Sequence, residues 1–230
     1  MKFLFTTIFT ALLWLASLTV LHGQNEITYG FIQSPSDPLS ITAVAYPNFT
    51  SNNVTISTAV FTFLLPAGTV TSPSIPVLPG TGNFVNITGS WTAQLMSEAL
   101  YDSFIGTTGG LNGNDVYQVV LQNSPILNGT GNPTIGVPIR LFSFRLPNDC
   151  MSGNVEVLTN DSPIQMNVLN NFGANFNNQI SMSVNDAPST DIYVANNPAS
   201  FSLPCMLLTP GIYVIKGSSF NAGQNGIANP

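Results

Sequence analysis

The side chains with the most chemistry to offer are ten carboxylates: Glu26, Asp37, Glu98, Asp102, Asp115, Asp149, Glu156, Asp161, Asp186 and Asp191. Two carboxyl groups flanking a glycosidic bond can hydrolyse it, at separations of about 5–5.5 Å for retention or about 6.5–9.5 Å for inversion. No spacing singles out such a pair, and most of the ten stand beside Asn, Pro or Gly, as turn residues do. Loop carboxylates and amides also supply the oxygen ligands that calcium takes. The candidates are Asp115 beside Asn112 and Asn114, Asp149 beside Asn148, Asp161 beside Asn160, and Asp186 beside Asn185 with Asp191. No Asp-x-Asp-x-Asp loop repeats, and the same residues account for turns without a metal, so no cofactor is assigned and calcium is the only one with a physical case.

Other chemistry lacks its parts. After His22 the chain has no histidine, and its basic residues are Arg140, Arg145 and Lys216. Serine, cysteine and metal schemes usually need an imidazole, a lysine or a lowered-pKa thiol. No Gly-rich stretch leads into Lys-Ser or Lys-Thr, which removes the phosphate loop. The sequence therefore predicts a non-enzyme with no catalytic and no cofactor-binding residue. Arg140 and Arg145 lie five apart on one strand pattern, with opposite parity unless a slip intervenes. Local pairing with Glu156 or Asp149 is favoured over a carboxylate or sugar clamp.

The N-terminus reads as an address. Lys2, an apolar run from Phe3 to Leu21 and the polar His22-Gly23-Gln24-Asn25 have the layout of a secretory signal peptide over 1–23. An uncleaved anchor is the alternative, since the run approaches spanning length, but Thr6, Thr7, Thr10, Ser17 and Thr19 dilute it. The mature chain is expected to be secreted or held at a cell surface, and not to span a membrane. In that oxidising space Cys150 and Cys205, the only cysteines, are predicted to pair. Closing a loop of about 56 residues would stabilise by roughly 4 kcal/mol in the chain-entropy treatment. Without the leader, three basic residues face ten acidic ones, so no basic face exists for nucleic acid or anionic lipid. Asn-x-Ser/Thr occurs at Asn48, Asn53, Asn86, Asn128 and Asn160, where glycans attach in a eukaryotic secretory route.

The elements that must position these residues are strands. Phe176, Asn178, Ile180, Met182 and Val184 alternate with polar neighbours, as do Tyr117, Val119 and Leu121. Val54–Leu65 and Val137–Leu146 are long, β-branched and aromatic, and each changes phase once, near Thr58-Ala59 and near Leu141-Phe142. A one-residue slip implies a bulge or burial on both faces. Further strands are expected over Ile27–Gln33, Leu39–Tyr46, Phe84–Leu95, Asn154–Thr159 and Ile164–Leu169. Only Ser97–Phe104 reads as helix, with Ser97 as N-cap. Roughly nine or ten strands and one short helix predict an all-β antiparallel sandwich or jelly roll. It would occupy 24–205, with an edge strand and flexible tail over 206–230. Trp91, Phe61, Phe63, Tyr117, Val119, Leu121, Phe142, Phe144, Ile180, Met182 and Val184 are assigned to its core.

The strands written AVFTFLLPAGTV (59–70) and VPIRLFSFRLPND (137–149) resemble those of cohesin and carbohydrate-binding modules in bacterial cell-surface proteins. That resemblance implies a surface location and a sandwich fold. With it goes the expected function, a non-enzymatic extracellular binding, adhesion or matrix module with a protein or glycan partner. The alternatives are a self-assembling surface subunit and a secreted carbohydrate-active hydrolase.

Overall fold

A computed structural model describes residues 24–37, 39–68, 84–127, 131–146, 153–200 and 202–204. The leader, Asp149, Lys216, Asn128, both cysteines with their expected disulfide, and the tail lie outside these residues.

Two sheets face each other. The first has the order β12-β1-β2-β8-β4, from Tyr193–Asn196 (β12), Ile27–Gln33 (β1), Ser40–Pro47 (β2), Ile139–Arg145 (β8) and Phe84–Asn86 (β4). The second runs β11-β10-β3-β6-β5, from Thr190–Asp191 (β11), Gln179–Val184 (β10), Val54–Pro66 (β3), Asn114–Leu121 (β6) and Trp91–Met96 (β5). Ile126–Leu127 (β7) and Asn154–Val157 (β9) also pair with β3, and Ser202–Pro204 (β13) pairs with β9. All pairs are antiparallel except β1–β12, which is parallel. This is the expected all-β sandwich.

Aromatic rings lock the two sheets together. Phe63 of β3 stacks on Tyr117 of β6 at 5.2 Å and on Phe144 of β8 at 4.7 Å. Phe61 meets Phe142 edge-on at 5.5 Å, and Trp91, 1% exposed, covers Phe142. The predicted core residues are all buried there except Val184, which packs half-buried at the margin.

Both phase slips are bulges. Ser181 pairs with Thr58 but Met182 with Ile56, so Ser57 is extra; this returns Ala59, Phe61 and Phe63 to the face that Val54 and Ile56 occupy. On β8, Phe142 pairs with Ala43 but Arg140 with Val44, leaving Leu141 as the inserted residue. Arg140, opposite Val44, and Arg145, opposite Ser40, consequently share the outer face of the first sheet.

Three expectations need correction. Ile164–Leu169 is not a strand but part of helix α2, Pro163–Phe172, which follows α1, Glu98–Ile105. Ser162 caps α2 by accepting the amide of Gln165, Pro163 opens it, and Gly173 closes it at φ 65°. Phe84–Leu95 is two strands: the chain turns at Gly89, φ 80°, and crosses from the first sheet to the second. The strand expected from Phe176 begins only at Gln179, because buried Gln165 accepts the Phe176 amide and donates to the Asn175 side chain, holding 174–178 in a loop. The two helices lie on the far face of the second sheet, where Leu64, Tyr101, Leu111, Val116, Leu158, Ile164 and Val168 form a smaller core. Helix α1, capped by Ser97, is as expected.

Candidate functional site

A cleft of about 530 Å³ opens where the two sheets meet at β12. Its construction starts at Asp191, whose Oδ1 accepts the amides of Ile180 and Tyr193, both at 3.1 Å. That carboxylate fixes the corner at which the chain leaves β10's sheet and joins β1. Buried Ile192 anchors the same corner by donating to Ile180 O and accepting from Ile27 N. Tyr193 then packs one side of its ring against Tyr29 at 5.1 Å and donates its hydroxyl to Asn196 Oδ1 at 2.8 Å. Asn196 Nδ2 in turn donates to the carbonyls of Val157 and Leu158, binding β12 to the strand that leads into the opposite wall.

That wall is Thr159-Asn160-Asp161. Asn160 and Asn178 bond reciprocally: the Asn178 amide donates to Asn160 Oδ1 at 2.7 Å, and Asn160 Nδ2 donates to Asn178 O at 2.9 Å. Asn178, 1% exposed, carries the fixture into the interior, accepting from Thr62 N and donating to Leu158 O. The walls therefore stand on an amide network that leaves little slack. Val194, Ala195 and Pro198 supply apolar surface beside the Tyr193 ring. Burial pushes the Tyr193 phenol up to about 12; a hydrogen bond with the Asn178 side chain works against the rise, and the Asp161 and Asp191 charges add to it. The hydroxyl thus remains a donor throughout the ordinary pH range.

Of the calcium candidates, Asp161 lines this cleft and Asp191 holds its corner. Asp115 is remote on β6, buried, with its two oxygens accepting from Gly68 N and Glu98 N. Asp186 sits with Asn185 in a turn where both have positive φ, 61° and 52°. Asp149 lies outside the described residues. Among those residues no three histidine, cysteine or acidic side chains converge on a metal position.

Three other acids accept backbone or side-chain donors. Asp102 accepts from Gly109 N and Gly110 N, Glu98 from Gly113 N, and Glu156 from Asn154 and Ser202 side chains. Among the described residues Arg145 pairs with Asp37 at 2.8 Å and not with Glu156, the expected partner, because Glu156 lies on β9, in the other sheet, whereas Asp37 closes the turn into β2; Asp149, the other expected partner, lies outside the described residues. Arg140 is exposed and makes no ion pair with the described acids. Of the glycan-type asparagines, Asn48 and Asn160 use Nδ2 in hydrogen bonds, whereas Asn53 and Asn86 are exposed with no such bond from that atom among the described residues.

The residues that sequence reasoning passed over are Tyr193, Asn196 and Pro198. Tyr193 and Asn196 lie on a strand of only four residues, half-exposed, so no alternation marks it, and Pro198 follows it in a turn. A weak signal existed in Asp191-Ile-Tyr193, a carboxylate two residues before an aromatic at a strand start. Among the described residues no helix is long and apolar enough to cross a membrane. No protein-family model matches the chain, and neither a curated protein nor a solved structure does.

Proposed function

We propose that this chain is a non-enzymatic extracellular binding module that receives its partner, a protein or a glycan, in the cleft beside β12. The observation that carries the reading is the contrast between carboxylates. Among the described acids all but Asp161 and Asp186 accept backbone or side-chain donors, and of these two only Asp161 lines the cleft. A concave site of several hundred Å³ with mixed apolar and polar lining is what small ligands and chain segments occupy. The leader-like N-terminus and the likeness to exported sandwich modules support the location. A glycan array run beside a hydrolysis assay tests it. Binding without turnover, abolished by Val194→Arg at the cleft mouth, is expected; turnover would overturn the non-enzymatic reading.

Self-assembly is the second reading, and β5 favours it. This six-residue strand ends the second sheet and has no second partner among the described residues. An unpaired edge can add a strand from another chain. Light scattering after size exclusion should report a monomer at every concentration under the first reading and growing species under the second.

A further inference from the structure

We infer that the cleft beside β12 receives a basic side chain, lysine or arginine, of a protein partner, with its cationic head on the Asp161 carboxylate and its aliphatic stem along Val194 and Pro198. The inference rests on the binding-module reading and specifies the partner's contact group. Its first support is the hydrogen-bonding capacity left in the walls once internal bonds are counted. The Tyr193 hydroxyl donates to Asn196, and Asn196 Nδ2 donates to the carbonyls of Val157 and Leu158. Asn160 accepts from and donates to Asn178. Left toward the cleft are both Asp161 oxygens, the Thr159 hydroxyl and one Nδ2 hydrogen of Asn160. That set is mostly acceptors, and ammonium and guanidinium groups are donors only.

Charge is the second support. Among the described residues Asp161 has no ion-pair partner. The described arginines stand on β8, separated from β12 by β1 and β2, roughly 14 Å away at the usual strand spacing, and Arg145 is already held by Asp37. A guest that covers the Asp161 carboxylate strips water from it, and a cation offsets that loss with both attraction and hydrogen bonds. The surrounding field has the same sign. Asp191 stands at the corner of the cleft, and its charge and that of Asp161 both act on the Tyr193 phenol. Beyond the leader the chain has ten acids against three bases, so cations are drawn in and anions repelled. A bare calcium ion would find too few ligands, since it gathers six to eight oxygens and no three acidic side chains converge among the described residues. The rest of the wall suits a stem. Val194, 50% exposed, Ala195 and Pro198 are apolar, and lysine and arginine lay their methylenes along such surface while the head stays polar.

The test is a two-dimensional amide NMR titration of the full chain at low salt. The probes are capped Gly-Ser-X-Ser-Gly peptides in which X is lysine, arginine, acetyl-lysine, citrulline or glutamate, together with a neutral glucose trisaccharide. The lysine peptide, the arginine peptide or both should shift residues 159–161 and 193–196, and the two arms rank the head groups. Acetyl-lysine and citrulline keep the stem without the charge, and they and the glutamate peptide should leave these amides unmoved. Asp161→Asn should weaken binding by about tenfold with an unchanged thermal midpoint, since charge-assisted hydrogen bonds are lost and no internal contact is. Salt at about 0.5 M should weaken it as well. On a glycan array the same contact selects glycans with a free amino group over their acetylated forms. If the uncharged peptides bind as well as the charged ones, if Asp161→Asn binds undiminished, or if only the trisaccharide moves these amides, the basic side chain falls while the cleft stands. If the peptides move other residues, or no probe moves any, the cleft itself is the wrong site.

Discussion

At the scale of single residues, asparagine carries the structure where charged groups would in most proteins. Asn178 is the clearest case: it satisfies a buried amide at Thr62 and a buried carbonyl at Leu158, both at 2.6 Å. Asn178→Ala leaves two buried backbone groups unpaired and should destabilise the fold by about 2–4 kcal/mol in urea unfolding. Tyr193 gives a pH prediction. Its phenol ionises near 10 when unfolded but at about 12 in the folded chain, so the neutral form favours the fold. The stabilisation is complete below pH 10 and disappears as pH rises from 10 to 12. Absorbance at 295 nm should show this tyrosine ionising well above pH 10, and Tyr193→Phe should flatten the alkaline loss of stability. Site residues were only partly legible for a physical reason. Asp161 and Asp191 stand out as titratable, whereas the neutral amides that position them look like ordinary turn residues until their partners, far away in sequence, are known.

At the scale of elements, period-two alternation revealed the strands that bury one face, and the two phase slips revealed their bulges. Leu141 shows how far that reaches: one inserted residue puts Arg140 and Arg145 on the same face, the alternative that parity alone left open. Helix α2 was misread because Ile164, Met166 and Val168 fit period two, while Ile164 and Val168 equally fit a helix repeat of four. Only the end signals, Ser162-Pro163 and Gly173, separate the two. Ser162→Ala should accordingly cost about 1 kcal/mol, and Gly173→Ala a further amount of the same order from forcing a Cβ into the left-handed region. Thermal midpoints of the single and double variants check both. A value unchanged at Ser162 would mean that the cap hydrogen bond contributes nothing.

For the molecule as a whole, the sandwich was legible from strand spacing and turn chemistry, which are local. Its neighbour relations were not, because alternation tells which face a residue takes but not which strand lies alongside. The parallel β1–β12 pair and the helical layer over the second sheet are both products of distant packing. The ring stack between the sheets is the global clamp. Phe144→Ala should destabilise by about 3–5 kcal/mol, since the ring is 2% exposed and stacked on Phe63. Guanidinium unfolding followed by tryptophan fluorescence, which Trp91 beside Phe142 reports from inside the core, measures it.

The parallel pairing of β1 and β12 also sets how the protein bears tension. In register, Ile27 meets Tyr193 and Tyr29 meets Asn196, so the chain enters this pair at one end and leaves it at the other. A pull on residue 24 and on residue 204 first strips β13 from β9, and then loads β1 against β12 lengthwise. Their hydrogen bonds must then slide and break together, not open one after another as in a hairpin peeled from its tip. Stretching between those two points should therefore show a higher rupture force than pulling between residue 24 and the β2 end at residue 47, which would unzip β1 from β2 bond by bond. Equal forces would mean that the three-residue register is too short to act as a shear clamp.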